Sequence, residues 1–122
     1  MRDFKKIIAW QKAHALSVAI GPAADWRRFR KRPRLRSQLL RAIDSIGGCI
    51  SEGAGKPTTP EFARYLDMAM SSAREVDNHL LLARDIDCMN ADVAERLLAD
   101  VDEIRRILFV YTREVRRRAD DE

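Results

Sequence analysis

The residues best equipped for chemistry in this chain are cationic. Arg27, Arg28, Arg30, Lys31, Arg32, Arg34 and Arg36 place seven cations in ten positions, interrupted only by Phe29, Pro33 and Leu35. Like charges at this density repel one another, and an anionic polymer relieves that cost. Arg41 follows about one turn further along. Trp26 precedes the run and Phe29 lies within it, and aromatic rings beside guanidinium groups suit stacking on unpaired bases. The chemistry this spacing implies is a grip on nucleic-acid phosphates, RNA or DNA, with little base preference. The same residues also fit a solvated loop, or one that pairs with the acidic half of a neighbouring subunit. A second cluster, Arg113, Arg116, Arg117 and Arg118, is placed to supplement the first, although Glu114, Asp120, Asp121 and Glu122 offset it.

Other chemistries find little support. His14 and His79 are the only histidines and lie far apart in sequence. No Glu-x-x-His pair is present to build a metal site inside a helical bundle. Cys49 and Cys88 form no CxxC pair and read as reduced thiols, Cys49 as a small apolar core residue. Gly-rich phosphate cradles and Ser-centred nucleophile elbows are absent from the sequence, and no acid and base are paired. We expect no catalytic residues, no metal, no cofactor and no enzymatic activity.

These side chains need helices to carry them. Phe62, Leu66, Ala69, Ala73, Val76, Leu80 and Ala83 recur at alternating steps of four and three, and Leu35, Leu39, Ala42, Ile46, Cys49 and Gly53 do likewise. Val93, Leu97, Val101, Ile104, Leu108, Tyr111 and Val115 keep nearly the same rhythm. Steps averaging 3.5 put each set on one face of a helix. A shorter first helix carries Ile7, Trp10, Ala13, Leu16 and Ile20 on one side, with Trp10 as a core anchor, and Gly21-Pro22 is expected to interrupt it. Arg32-Pro33-Arg34 opens the second helix, and Gly53, Gly55 and Pro57 close it. Thr58 caps the third and Asn90 the fourth. Short loops make neighbouring helices antiparallel, so the expected fold is all-α, an up-down four-helix bundle forming a single domain over residues 1–122.

The second helix carries a further apolar line, Leu40, Ile43 and Ile50, and two glycines in its middle, Gly47 and Gly48. Glycine there costs ~1 kcal/mol against alanine. Either this helix is buried on two sides within one chain, or Leu40, Ile43, Gly47, Gly48 and Ile50 meet another subunit. Composition agrees with a compact domain: 122 residues, 46% of them hydrophobic, only 7% aromatic, five glycines and four prolines argue against disorder and against a sandwich or barrel. The longest stretch without a formal charge, Ala13 to Ala24, spans twelve residues. A bilayer needs ~20. With charges interrupting the N-terminal apolar residues, no secretory signal is expected, and the setting reads as cytoplasmic. Residues 1–56 carry a net charge of +9 and residues 57–122 one of −5. Such asymmetry offers a basic surface to an anion, or one half of the chain to the other half of a neighbour.

At the level of motifs, Phe4 to Leu16 (FKKIIAWQKAHAL), Ser37 to Lys56 (SQLLRAIDSIGGCISEGAGK) and Glu61 to Glu75 (EFARYLDMAMSSARE) resemble, in order and spacing, the bacterial 23S ribosomal RNA intervening-sequence proteins. The resemblance covers roughly residues 3–86; the last helix matches in pattern alone. Cys49 stands where that family usually has Asn, and Ser71 where it usually has Gly. The resemblance implies a four-helix bundle that assembles into a ring, commonly a homopentamer. It also implies similarity in shape to accessory proteins of diversity-generating retroelements, which bind nucleic acid and a reverse transcriptase. Glu52, Arg41 and Arg64 belong to the matching motifs and read as partners in inter-helix or inter-subunit ion pairs. The expected function is a nucleic-acid-binding oligomeric adaptor; the alternative is a scaffold that binds a protein such as a reverse transcriptase.

Overall fold

The computed structural model describes residues 2–122. One 3₁₀ turn, Phe4–Lys6, precedes four helices: α1 (Ile8–Ala23), α2 (Pro33–Ala54), α3 (Thr59–Asp85) and α4 (Ala91–Asp121). The heptad stripes become the core. All seven stripe residues of α3 are buried, and on α4 Leu97, Val101, Ile104, Leu108 and Val115 are buried, with Val93 and Tyr111 half-buried against them. Each fully buried aliphatic side chain contributes ~1.5–3 kcal/mol relative to exposure. α1 packs on α2 and α4, and α3 packs on α2 and α4, so the helices surround one core in cyclic order.

Local chemistry sets the helix ends. Thr58 Oγ1 accepts a bond from the Glu61 amide at 3.3 Å, and its hydroxyl donates to Glu61 Oε1 at 2.8 Å. Asn90 Oδ1 accepts from the amides of Asp92 and Val93 at 2.9 and 3.2 Å. α3 ends in a Schellman turn: the Cys88 amide donates to Ala83 O at 2.8 Å, the Asp87 amide to Arg84 O at 3.2 Å, and Asp87 takes φ 60°.

Long-range bonds gather the ends. The Arg2 amide donates to Ala54 O at 3.3 Å, its guanidinium to Thr59 Oγ1 at 2.9 Å, and the Thr59 hydroxyl to Glu122 Oε1 at 2.8 Å. The start of the chain, the end of α2, the start of α3 and the end of α4 therefore meet. Away from them, Arg28 donates to Asp87 Oδ1 at 2.9 Å and joins the α1–α2 connection to the α3–α4 turn.

Two expectations need correction, and the alternatives left open for α2 are narrowed. Gly21-Pro22 does not interrupt α1, which runs through to Ala23. Gly21 offers no Cβ to the proline ring, and little helix remains beyond it. Gly53 lies inside the last turn of α2 and does not end it. The second apolar line of α2 belongs to the protomer's own core: Ile43 and Ile50 are fully buried and Leu40 is half-buried, because α2 has α1 on one side and α3 on the other. The two central glycines also differ. A Cβ at Gly47 would lie 3.5 Å from Trp10 Nε1, whereas one at Gly48 meets nothing within 4 Å. Among the helical glycines the closest approach is at Gly53, where a Cβ would sit 2.5 Å from Tyr65 Cβ. Of the proposed interface set, Gly48 alone is exposed. Trp10 is half-buried, its ring stacked on His14 at 4.8 Å and edge-on to Phe4 at 5.0 Å.

Candidate nucleic-acid interface

The basic run occupies the connection from α1 to α2, and its shape follows from five fastenings. Asp25 Oδ1 accepts from the Arg27 amide at 3.0 Å. Asp25 O accepts from the amides of Arg28 and Phe29 at 3.1 and 3.4 Å, winding residues 25–29 into a turn. Phe29 inserts its ring into the core, with no exposed surface at all. Arg28 is strapped to Asp87, and Arg36 Nε donates to Ala24 O at 2.7 Å, tying the first turn of α2 to the end of α1. The expectation that Phe29 stacks on bases is therefore wrong. An apolar ring in a polar run is most stable in the core, and here it anchors the connection. Trp26 is 58% exposed as a residue, with the Arg27 guanidinium 5.2 Å from its ring centroid.

These fastenings sort the cations. Arg36 is half-buried and committed to a backbone carbonyl. Arg27 faces Asp25 at 3.7 Å, and Arg28 is paired with Asp87. Arg30, Lys31, Arg32, Arg34 and Arg41 are exposed, and none has an ion-pair partner among the described residues. Four of them stand at the start of α2, and Arg41 lies about 12 Å further along the helix, at ~1.5 Å per residue. Arg32 occupies the N-cap position without a side-chain cap bond, Pro33 follows, and the first turn carries no acid. A helix N-terminus has unsatisfied amides and about half a positive charge, so cations are the wrong residues for stability there and an anion is the right ligand.

The C-terminal cluster is different. Arg116 makes a two-pronged pair with Asp67. Arg117 reaches Glu114 through Nε at 3.0 Å and Asp121 at 3.4 Å, and Arg118 Nε lies 3.4 Å from Glu114. Arg117 holds the Glu114 carboxyl below its ordinary range. Arg113 rests 5.7 Å from the Phe109 ring centroid. Nor does this cluster extend the first, as the sequence led us to expect: it sits near the opposite end of α4, roughly 40 Å from Asn90 at ~1.5 Å per residue.

Arg41, Glu52 and Arg64 make no ion pair within the chain among the described residues, so the inter-helix pairing expected for them is not formed. His79 Nε2 lies 3.5 Å from Glu75 outside hydrogen-bond geometry, and no group of three or more His, Cys, Asp or Glu side chains is arranged to hold a metal ion among the described residues. No helix there is long and apolar enough to cross a membrane.

Sequence reasoning missed one surface. Phe109, 61% exposed, stands between shallow grooves that share Met70 and Arg74. Beyond it Ile8 and Val110 line a further groove of about 840 Å³ between the chain's start and α4. The available signal was that Phe109 and Val110 fall off the α4 heptad stripe.

No curated protein matches the sequence at a significant level. The fold is similar to the 1.70 Å crystal structure of a protein of unknown function from the S23 ribosomal protein family of Bacteroides thetaiotaomicron VPI-5482. That likeness has a TM-score of 0.76 at 21% identity and covers 86% of this chain and 98% of that one. The family model described as 23S rRNA-intervening sequence protein matches residues 5–110. With most of its length matched, including three of its helices entire, the chain belongs to the 23S rRNA-intervening sequence protein family.

Proposed function

We propose that this protein is a non-catalytic, oligomeric RNA-binding adaptor that grips phosphates at the start of α2. The observation that carries the reading is five exposed cations without ion-pair partners, Arg30, Lys31, Arg32, Arg34 and Arg41, around or near an uncapped helix N-terminus. The family's name, an intervening sequence of 23S rRNA, puts RNA ahead of DNA. We further infer an up-down course for the helices, in keeping with the contacts at the two ends, and assembly into a ring, with five subunits as the working number. The exposed surface of 7393 Å² is about a tenth more than the ~6,700 Å² typical of a monomer of this mass, which leaves area to cover. Each subunit then adds one basic segment, and binding gains through avidity. The proposed setting is the cytoplasm, where the free thiols Cys49 and Cys88 stay reduced.

The test is RNA binding across a salt series. Five phosphate contacts at ~0.7 each predict a slope of log affinity against log salt near −3.5 per subunit engaged. Changing Arg30, Lys31 and Arg34 to Gln lowers that slope and weakens all sequences alike, with the melting temperature preserved. Failure of the wild type to retard RNA at ~50 mM salt, where such contacts are strongest, overturns the reading. The exposed apolar side chains Ile8, Phe109 and Val110 favour a second reading, a scaffold that holds a protein partner such as a reverse transcriptase. Binding of a protein that survives high salt, and is lost on Phe109→Ser, supports it.

A further inference from the structure

We infer that Trp26 is a base-stacking platform that makes the basic segment select single-stranded over duplex RNA. The inference rests on the phosphate-binding reading and adds a substrate class to it.

Trp26 is the one large apolar side chain left exposed between Ala24 and Arg41, and in sequence it stands four residues before Arg30, the first of the free cations. Its exposure is a consequence of how the turn is built. Ala24 and Phe29, on either side of it, are fully buried, and Asp25 holds the amides of Arg27, Arg28 and Phe29. The backbone under Trp26 is thus pinned, and the indole is held out from a fixed base. Arg27, engaged by Asp25 at 3.7 Å, stands 5.2 Å from the ring centroid, a cation–π distance that leaves the rest of the ring surface to a ligand.

The geometry separates two ligands. A duplex keeps its bases stacked inside, and A-form RNA has a major groove too deep and narrow for side chains to read. A duplex therefore offers Trp26 nothing, while the cations still meet its phosphates. An unpaired strand offers both, because the backbone lies on the cations and a neighbouring base can turn onto the indole, whatever its identity. With Phe29 in the core, one ring per subunit is available, so the platform holds one base.

The experiment uses an unstructured RNA strand and the same strand annealed to its complement, with wild type, Trp26→Ala and Trp26→Phe, each over a salt series. Stacking on one ring predicts that Trp26→Ala loses about 5- to 150-fold in affinity for the single strand. The salt slope stays unchanged, duplex affinity is unaffected, and Trp26→Phe recovers part of the loss. In a Trp10→Phe background, the remaining indole is quenched by the single strand and left bright by the duplex. Equal affinity of Trp26→Ala and wild type for the single strand overturns the proposal while leaving the phosphate reading standing. Wild type that binds neither probe removes both. An indole that shifts with protein concentration alone, and ignores RNA, assigns the ring to a protein contact and also overturns the proposal.

Discussion

Replacing Arg34 with Glu should stabilise the protein and weaken its RNA binding, a pairing that few substitutions share. Arg34 is exposed in the first turn of α2 and has no ion-pair partner among the described residues. An acid near a helix N-terminus stabilises by ~0.3–1 kcal/mol, and here it also replaces a cation of unfavourable sign, so the swing is about 0.5–1.5 kcal/mol. Near this chain length 1 kcal/mol moves Tm by roughly 3–5 °C, which predicts a rise of about 1.5–7.5 °C. Lys31, three residues back in sequence, also loses a like-charged neighbour. Binding moves the other way. One lost phosphate contact reduces the salt slope by ~0.7, which at ~0.1 M salt is about fivefold in affinity before any repulsion from the new carboxylate. The assays are thermal unfolding at fixed protein concentration and anisotropy titration of labelled RNA. A Tm that falls with binding shows that Arg34 supports the fold, and the reasoning about the helix start fails. A Tm that rises with no change in slope shows that phosphates do not sit there.

Phe29→Ala removes a fully buried ring and should cost ~3–5 kcal/mol in urea unfolding; a stable variant that loses only RNA affinity would return Phe29 to the binding surface. Gly53→Ala pushes a methyl to 2.5 Å from Tyr65 Cβ and should lose ~1–3 kcal/mol, whereas Gly48→Ala, facing open space, should gain up to ~1 kcal/mol through helix propensity; equal melting temperatures for the two contradict the packing assigned to them. Asp77→Asn reports on pH. Burial raises the Asp77 carboxyl above its ordinary value, against the pull of Arg105 and with help from Asp102. A raised carboxyl stabilises the fold most while protonated, and that contribution is lost as pH rises through the folded value. The Asn variant should therefore match wild type near pH 3 and pull ahead toward pH 7, and a stability gap independent of pH refutes this assignment.

How much of this was legible in the sequence depended on whether the deciding neighbour was near in the chain. The α3 stripe read correctly because its period alone selects the buried face, and all seven residues are in the core. Thr58 and Asn90 read correctly because a cap is settled within three residues. The width of α2's buried face was not legible in the same way. Ile43 and Ile50 look surplus to a heptad until α1 and α3 are placed on both flanks, and only then are they core. The glycines show the same division. Gly47-Gly48 draws the eye as a pair, yet what matters is which side chain a neighbouring helix puts opposite, and Tyr65 stands over Gly53.

The charges of the basic run show the same division. A count of seven cations was plain from the sequence, and which of them are free was not. Arg28 is neutralised by Asp87, 59 residues away, and Arg36 is drawn to a carbonyl twelve residues back. Tertiary structure thus subtracts from a charge run, and what survives the subtraction is more specific than the run itself. Here the survivors include Arg32 at the N-cap and Arg34 in the first turn, where Ser, Thr, Asp or Asn at the cap and an acid in the turn serve stability better. The sequence did contain that sign, a helix opening on Arg-Pro-Arg with no capping residue before the proline. Thr58 and Asn90 keep the local rule for α3 and α4, and α1 opens on Ile7 without a cap bond; α2 alone opens on cations at both its cap and its first turn. On the proposed function, that is where stability is conceded to binding.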